Sequence, residues 1–152
     1  MALDPPLALL LGTWRGEGNG TFPTMAPFRY EEEIRIEDVG GDVAYFQRAW
    51  DPASGMVLHA EAGIWRVTGN GRIVATIAQA RRTEVSEGTI GDGEIELAST
   101  TTGAAVGVRP VASSRRSYRL NGDELSYEYA MATGNMGQAE RHLAARVSRQ
   151  RT

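Results

Sequence analysis

The sequence predicts an all-β chain, a single antiparallel up-and-down barrel of about ten strands with a short N-terminal helical turn. Three observations predict it. Short runs of strand-forming composition follow one another along the whole chain. Turn signals rich in Gly, Asn and Asp separate them. Every gap is short and none holds a long helix, so neighbouring strands run antiparallel. The 18 glycines among 152 residues are spread as punctuation, not as low complexity. A Greek key needs a long return connection that is missing, and closure into a barrel removes exposed edges. A barrel of roughly ten strands is wider than side chains alone usually fill, so it should hold a ligand cavity.

Asp4-Pro5-Pro6 followed by residues 7–11 reads as one or two helical turns, with prolines in the first turn and Gly12 as the stop. Strands are expected at 13–19, 29–38, 43–51, 57–67 and 72–78, then at 83–89, 94–101, 115–120, 125–132 and 141–149. Between them, Gly40-Gly41-Asp42, residues 51–55, Gly69-Asn70-Gly71, Gly91-Asp92-Gly93 and Asn121-Gly122-Asp123 are hairpin turns by composition. In the second strand Tyr30, Glu32, Ile34 and Ile36 share one face, and Glu31, Glu33 and Arg35 share the solvated one. Glu32 on the apolar phase is a strand-end or lumen residue. In the ninth, Leu125, Tyr127, Tyr129 and Met131 share a face.

Length and composition bound the function. One domain over residues 1–152, large enough to bury its own core, is the expectation. Net charge is -3, against a basic nucleic-acid binder. No run approaches about 18 apolar residues, so no membrane-spanning helix is expected. Residues 7–11 are too short for a signal core, and the cytoplasm is the default compartment. Cysteine is absent, which excludes disulfides, Cys-ligated zinc, iron–sulfur clusters and thiol catalysis. All 16 basic residues are Arg, which excludes Schiff-base chemistry and a P-loop lysine. Two histidines, His59 and His142, cannot build a three-His zinc site, though one axial haem ligand stays open.

Other motifs lead nowhere. Gly16-x-Gly18-x-Gly20 lies on a strand and not before a helix, so it cradles no phosphate. Glu31-Glu32-Glu33 lacks calcium-loop spacing, and no Ser–His–Asp motif supports a hydrolase. Trp14, after Gly12-Thr13, is expected to close the barrel base with its N–H bonded to a carbonyl, the alternative being a ligand contact.

The longer string Gly12-Thr13-Trp14-Arg15-Gly16-Glu17-Gly18, then Phe22-Pro23-Thr24 and Phe28-Arg29-Tyr30-Glu31-Glu32, resembles the nitrobindin family. These are small haem-binding β-barrels related in shape to fatty-acid-binding proteins. The resemblance continues at Leu58-His59-Ala60-Glu61-Ala62-Gly63, Ile77-Ala78-Gln79, Leu125-Ser126-Tyr127, Met131-Ala132-Thr133 and His142-Leu143. It covers nearly the whole chain in the same order. Phe22 stands where relatives often carry Tyr, and the segment from Gly134 to Arg141 differs from the Pro-containing loop expected in relatives.

The resemblance implies a ferric haem b with His142 as proximal ligand, nitric oxide binding, and isomerisation of peroxynitrite to nitrate. Ferric iron would offer an open Lewis-acid position to the peroxynitrite anion, and the fragments of O–O cleavage would recombine as nitrate before escaping. It also places Thr24, Leu58, His59, Gln79 and Met131 at the haem pocket. The residues alone leave alternatives. Strand alternation groups Leu143, Ala145 and Val147 on the apolar phase and turns His142 outward. If His142 faces the lumen instead, Leu143 and Val147 face out and call for a cover such as the second subunit of a homodimer. His59 packs blandly or lies in the pocket without being the proximal ligand. Thr24 reaches the haem edge or bonds its own turn. Met131 is otherwise a barrel-core residue. Arg81-Arg82 and Arg115-Arg116 meet haem propionates or are solvated turn charges, the second being the better reading. The rival function is a non-enzymatic carrier of a lipid or other apolar molecule. A conventional fatty-acid-binding protein inserts a helical lid between its first two strands, and residues 20–27 are too few for one.

Overall fold

The computed structural model describes residues 2–134 and 139–151. A one-turn helix, α1 (Pro5–Ala8), leads into β1 (Gly12–Phe22), β2 (Met25–Asp38), β3 (Val43–Trp50), β4 (Val57–Gly69) and β5 (Arg72–Gln79). Then follow β6 (Arg82–Gly91), β7 (Glu94–Ala104), β8 (Val111–Asn121), β9 (Glu124–Thr133) and β10 (Glu140–Arg149). Each strand pairs antiparallel with its sequence neighbours, and β1 pairs with β10 to close the barrel. All ten expected strands are present. The lid of two helices is absent, since only Pro23 and Thr24 separate β1 from β2. Residues 135–138, the centre of the segment that departs from the expected loop, lie outside the described residues.

Two boundaries differ from the sequence reading. The helix is Pro5–Ala8, earlier than residues 7–11, because the two prolines at its N-terminus fix helical φ from the first position. Leu10 and Leu11 finish it as turns, their N–H groups donating to the Leu7 and Ala8 carbonyls. Strands β1, β2 and β8 also run longer than expected. The added residues continue the hairpin ladders past the local composition signal, Gly20 with Phe28 and Phe22 with Met25 across β1–β2, and Val111 with Thr133 and Ser114 with Met131 across β8–β9. The β4–β5 turn uses Asn70 and Gly71 at φ of 52° and 69°, as its composition required. The β5–β6 turn achieves the same at Arg81, φ 68°, with no glycine to announce it.

The inner face follows period two. Tyr30, Glu32, Ile34 and Ile36 are all buried and Arg35 is exposed. One end of the barrel is plugged. Trp14 is fully buried there among Leu7 and Leu10, and its indole N–H donates to the Leu10 carbonyl at 2.9 Å. The Arg149 guanidinium lies 4.3 Å from the centroid of its ring, and its Nη2 donates to the Leu9 carbonyl at 2.7 Å. The helical turn, the first strand and the last strand are thereby tied at one point. Above the plug Trp65 stacks on Tyr45 at 5.0 Å and meets Tyr118 edge-on at 5.2 Å.

Trp14→Ala empties this plug without touching the cavity at the opposite end. Chemical denaturation should register a loss of about 3–5 kcal/mol, the usual cost of such a cavity. A variant as stable as the parent would refute the plug.

Candidate functional site

At the open end lies a cavity of about 1060 Å³, just above the range of roughly 300–1,000 Å³ usual for small-molecule sites. Its wall includes Phe28, Leu58, His59, Met131, His142 and Leu143, and its floor includes Gln47, Glu61, Arg116 and Tyr127. The room comes partly from β1. Gly16, Gly18 and Gly20 fall on its inward phase with Trp14 and Phe22, so that stretch of wall carries no side chains. A Cβ at Gly18 would lie 2.5 Å from the Tyr30 ring, and one at Gly20 would lie 2.2 Å from the Phe28 ring. The glycine alternation that cradles no phosphate therefore makes space for two aromatic rings.

His142 reaches the cavity by a route that simple alternation does not contain. Along the β9–β10 ladder Arg141 pairs with Ala130, and the next pair is Leu143 with Tyr129. His142 is the extra residue of a β-bulge, and a bulge re-aims its side chain. Below the bulge, alternation holds: Val147 is fully buried, Ala145 is buried, and Leu143 packs against the core. The expectation that an inward His142 would turn Leu143 and Val147 outward is thus corrected. His142 and the Leu143–Val147 phase both face in, while Arg146 and Ser148 stay exposed, and Val147 needs no covering subunit.

A bulge of the same kind lies beside the second histidine, which itself keeps the regular inward parity of Glu61 and Trp65. Ala49 pairs with His59 and Trp50 with Val57, so Leu58 is the extra residue and both Leu58 and His59 line the cavity. Gln79 and Met131 line it as well. Thr24 does not. It stands exposed in the two-residue β1–β2 turn beside Met25, which is a lining residue.

The ring of His142 is held in one tautomer. Its Nδ1 lies 3.0 Å from the Thr21 carbonyl oxygen, which can only accept, so Nδ1 carries the hydrogen. The lone pair of the neutral ring is then on Nε2. Phe22 meets the imidazole edge-on at 5.5 Å, and Phe28 and Tyr129 at 6.2 Å. Burial lowers its pKa below the ordinary 6.5, with the nearby His59 adding to this and the Thr21 bond opposing it. The ring is therefore neutral at pH 7, and a neutral imidazole with a fixed Nδ1–H is the form that ligates a metal.

The cavity floor is a buried polar network. Arg116, buried, donates from Nη1 to Glu61 at 2.7 Å and from Nη2 to Glu84 at 2.6 Å. Glu61 also accepts from Tyr45 at 3.2 Å and Gln79 at 3.3 Å, and its Oε2 lies 3.2 Å from His59 Nε2. Burial opposes ionisation of Glu61, but Arg116 and His59 override it and hold its carboxyl far below the usual range. With Glu61 ionised, His59 Nε2 must be the donor. Ser86 and Ser114 complete Glu84 at 2.5 and 3.2 Å. The reading of Arg116 as a solvated turn charge is corrected, because two inward carboxylates neutralise it inside the barrel. Arg81 and Arg115 are exposed, and Arg82 donates to the Arg109 carbonyl at 2.7 Å while lining the cavity.

Sequence reasoning singled out Glu32 and missed Glu61, Glu84, Gln47 and Arg116 as a unit. The signal was available, since each is a polar residue on the inward parity of its strand. Gln47 alternates with Val43 and Tyr45, and Glu61 with Trp65. Their pairing across β3, β4, β6 and β8 is long-range, and no local pattern records it.

Comparison with known proteins follows the same lines. The family described as "THAP4-like, heme-binding beta-barrel domain" matches residues 5–149. "Peroxynitrite isomerase 1" of Mycolicibacterium paratuberculosis is 41% identical over 152 residues, covering 95% of this chain and 93% of that protein. "Peroxynitrite isomerase Rv2717c" of Arabidopsis thaliana is 42% identical over 132 residues, covering 84% of this chain and 78% of that protein. The crystal structure of Rv2717c from M. tuberculosis superposes with a TM-score of 0.88 at 36% identity, covering 99% of this chain and 100% of that one.

The floor makes a test of its own. Arg116→Leu strands two buried carboxylates and should cost about 3–5 kcal/mol near neutral pH. The deficit relative to the parent should shrink as pH falls. The parent loses the stability from Glu61's depressed pKa below the ordinary 4.5, while protonation of Glu61 relieves the variant. Denaturation measured across this range would refute the account if the deficit were independent of pH.

Proposed function

The chain belongs to the family of THAP4-like, heme-binding β-barrel domains, and from that premise we propose a haem-dependent peroxynitrite isomerase that holds ferric haem b through His142. The observation that carries the assignment is the His142 bulge. It puts a neutral imidazole, with its Nδ1–H committed to the Thr21 carbonyl, on the wall of a cavity of about 1060 Å³. Nε2 is the ligating atom. The donor set fits the group, because imidazole is an ordinary axial ligand and cysteine and lysine are absent.

When bound, ferric haem supplies a Lewis-acid position for the peroxynitrite anion and a binding position for nitric oxide. The protein does the rest by confinement. The rings of Phe22, Phe28 and Tyr129 fix the imidazole plane, and the Thr21 bond fixes its tautomer. Leu58, Met131 and Leu143 supply apolar wall to the cavity. Isomerisation neither consumes nor releases a proton, so no acid–base pair is needed, only a wall that keeps reactive fragments together until they recombine. Gln79 and Arg116 hold His59 through Glu61, at the pocket but apart from the ligating role. Thr24 stands exposed in the β1–β2 turn beside the lining residue Met25, and its hydroxyl would reach the haem edge only at the mouth of the cavity. The rival reading, a carrier of apolar cargo, matches poorly with a floor of Glu61, Arg116, Gln47 and Tyr127.

Haem titration followed by its absorption band, with nitrate yield from peroxynitrite, tests the assignment. His142→Ala should lose the haem spectrum and the isomerisation while the barrel stays folded. His59→Ala should keep the spectrum and alter only access or ligand affinity. Unchanged haem affinity in His142→Ala would move the ligand role elsewhere.

The pH dependence follows from the depressed pKa of His142. Protonation removes the lone pair that ligates. Affinity should hold as pH falls through the ordinary histidine value of 6.5, then drop by about tenfold per unit below the lower pKa of the buried ring. A decline that starts well above 6.5 would contradict the buried, neutral His142.

A further inference from the structure

We propose that Tyr127, backed by Tyr30 and Glu32, is a redox-active site that nitrogen dioxide set free in the cavity oxidises, and that it is where the chain becomes nitrated. The reading above is used only for the source of the oxidant, since cleavage of the O–O bond of peroxynitrite releases nitrogen dioxide.

The geometry points to Tyr127 in particular. Of the chain's five tyrosines, Tyr30, Tyr127 and Tyr129 line the cavity. The Tyr127 hydroxyl donates to Glu32 Oε2 at 2.8 Å. Its oxygen accepts from Gln47 Nε2 and from the Tyr30 hydroxyl, each at 2.9 Å. A phenol with a carboxylate to take its proton and two donors on its oxygen is arranged to lose an electron and a proton together. Glu32 is fully buried, and no cation pairs with it among the described residues. Its Oε1 has no hydrogen-bond partner among them. Burial pushes its carboxyl up to about 7, which makes it a stronger base than an ordinary carboxylate.

The other tyrosines lack this arrangement. The Arg116 guanidinium lies 4.7 Å from the Tyr129 ring centroid, and a cation there opposes loss of an electron. Tyr45 donates to Glu61, whose carboxylate is already held by Arg116 and is a poor proton acceptor. The isomerisation itself uses neither Tyr127 nor Glu32.

The chemistry balances in two steps. Nitrogen dioxide takes one electron from the phenol and leaves as nitrite, while the phenolic proton passes along the 2.8 Å hydrogen bond to the Glu32 carboxylate. The phenoxyl radical then couples with a second nitrogen dioxide at the ring carbon beside the oxygen. The hydrogen displaced from that carbon restores the phenol. Two nitrogen dioxide molecules enter, and one nitrite, one nitro group and one proton result.

The test exposes the haem-loaded full chain, at about pH 8 where Glu32 is ionised, to nitrogen dioxide made radiolytically from nitrite. A parallel arm uses peroxynitrite and records nitrate yield. Peptide mass spectrometry should find 3-nitrotyrosine chiefly at Tyr127, with Tyr30 next, and rapid-freeze electron paramagnetic resonance should show a tyrosyl radical. Glu32→Gln should lower nitration at Tyr127 by about tenfold and leave Tyr129 unchanged. Tyr127→Phe should abolish or relocate the radical. Nitration at Tyr129 or Tyr45 with Tyr127 intact overturns the proposal, whatever the nitrate yield. So does equal nitration of Tyr127 in Glu32→Gln. Nitration of Tyr127 by radiolytic nitrogen dioxide supports the site even if peroxynitrite gives no extra nitrate, and that result would count against the isomerase reading alone.

Discussion

The seam between β1 and β10 is the constraint on which the other features depend. Pairing the first strand with the last, from Trp14 opposite Arg149 to Gly20 opposite Leu143, closes the sheet on itself. It also fixes what each end of the barrel can be. At one end Arg149 from β10 lies over Trp14 from β1, and the N-terminal turn is drawn in as a plug. At the other, the glycine face of β1 opens the lumen and the Thr21 carbonyl receives the His142 ring. A cofactor ligand here is a product of strand closure.

The polar floor sets a second requirement. Arg116, Glu61 and Glu84 come from three strands and are all buried. Such groups stabilise little beyond what an apolar core would, but leaving one unpaired is costly. Their value is positional. Glu61 gathers Arg116, Tyr45, Gln79 and His59 on two oxygens, so one buried carboxylate orients several residues of the cavity. Glu32, Gln47, Tyr127 and Tyr30 form a neighbouring set without a cation. The two sets put carboxylates of opposite character side by side, one held strongly ionised and the other raised by burial.

Bulges link these features to function. Regular pairing would give each histidine one side of the sheet according to its parity. The extra residues at His142 and Leu58 lie near the mouth of the barrel, where the ladder can be broken at little cost to the plugged end. The mouth is therefore where side chains can be re-aimed into the cavity, and the base is where regular packing holds the fold.

The sequence by itself determined the strand count, the turns, the barrel and the parity of nearly every strand, because pleat and turn chemistry act over a few residues. Glu32 was legible as a strand-end or lumen residue and Trp14 as the base plug on those grounds alone. Only the tertiary structure decided that His142 and Val147 both face inward, since a bulge exists only relative to the partner strand. It alone decided that Arg116 is an interior charge, because its partners Glu61 and Glu84 are 55 and 32 residues away in the chain. Local patterns record the face a residue is offered, whereas its partner is set by register across the closed sheet.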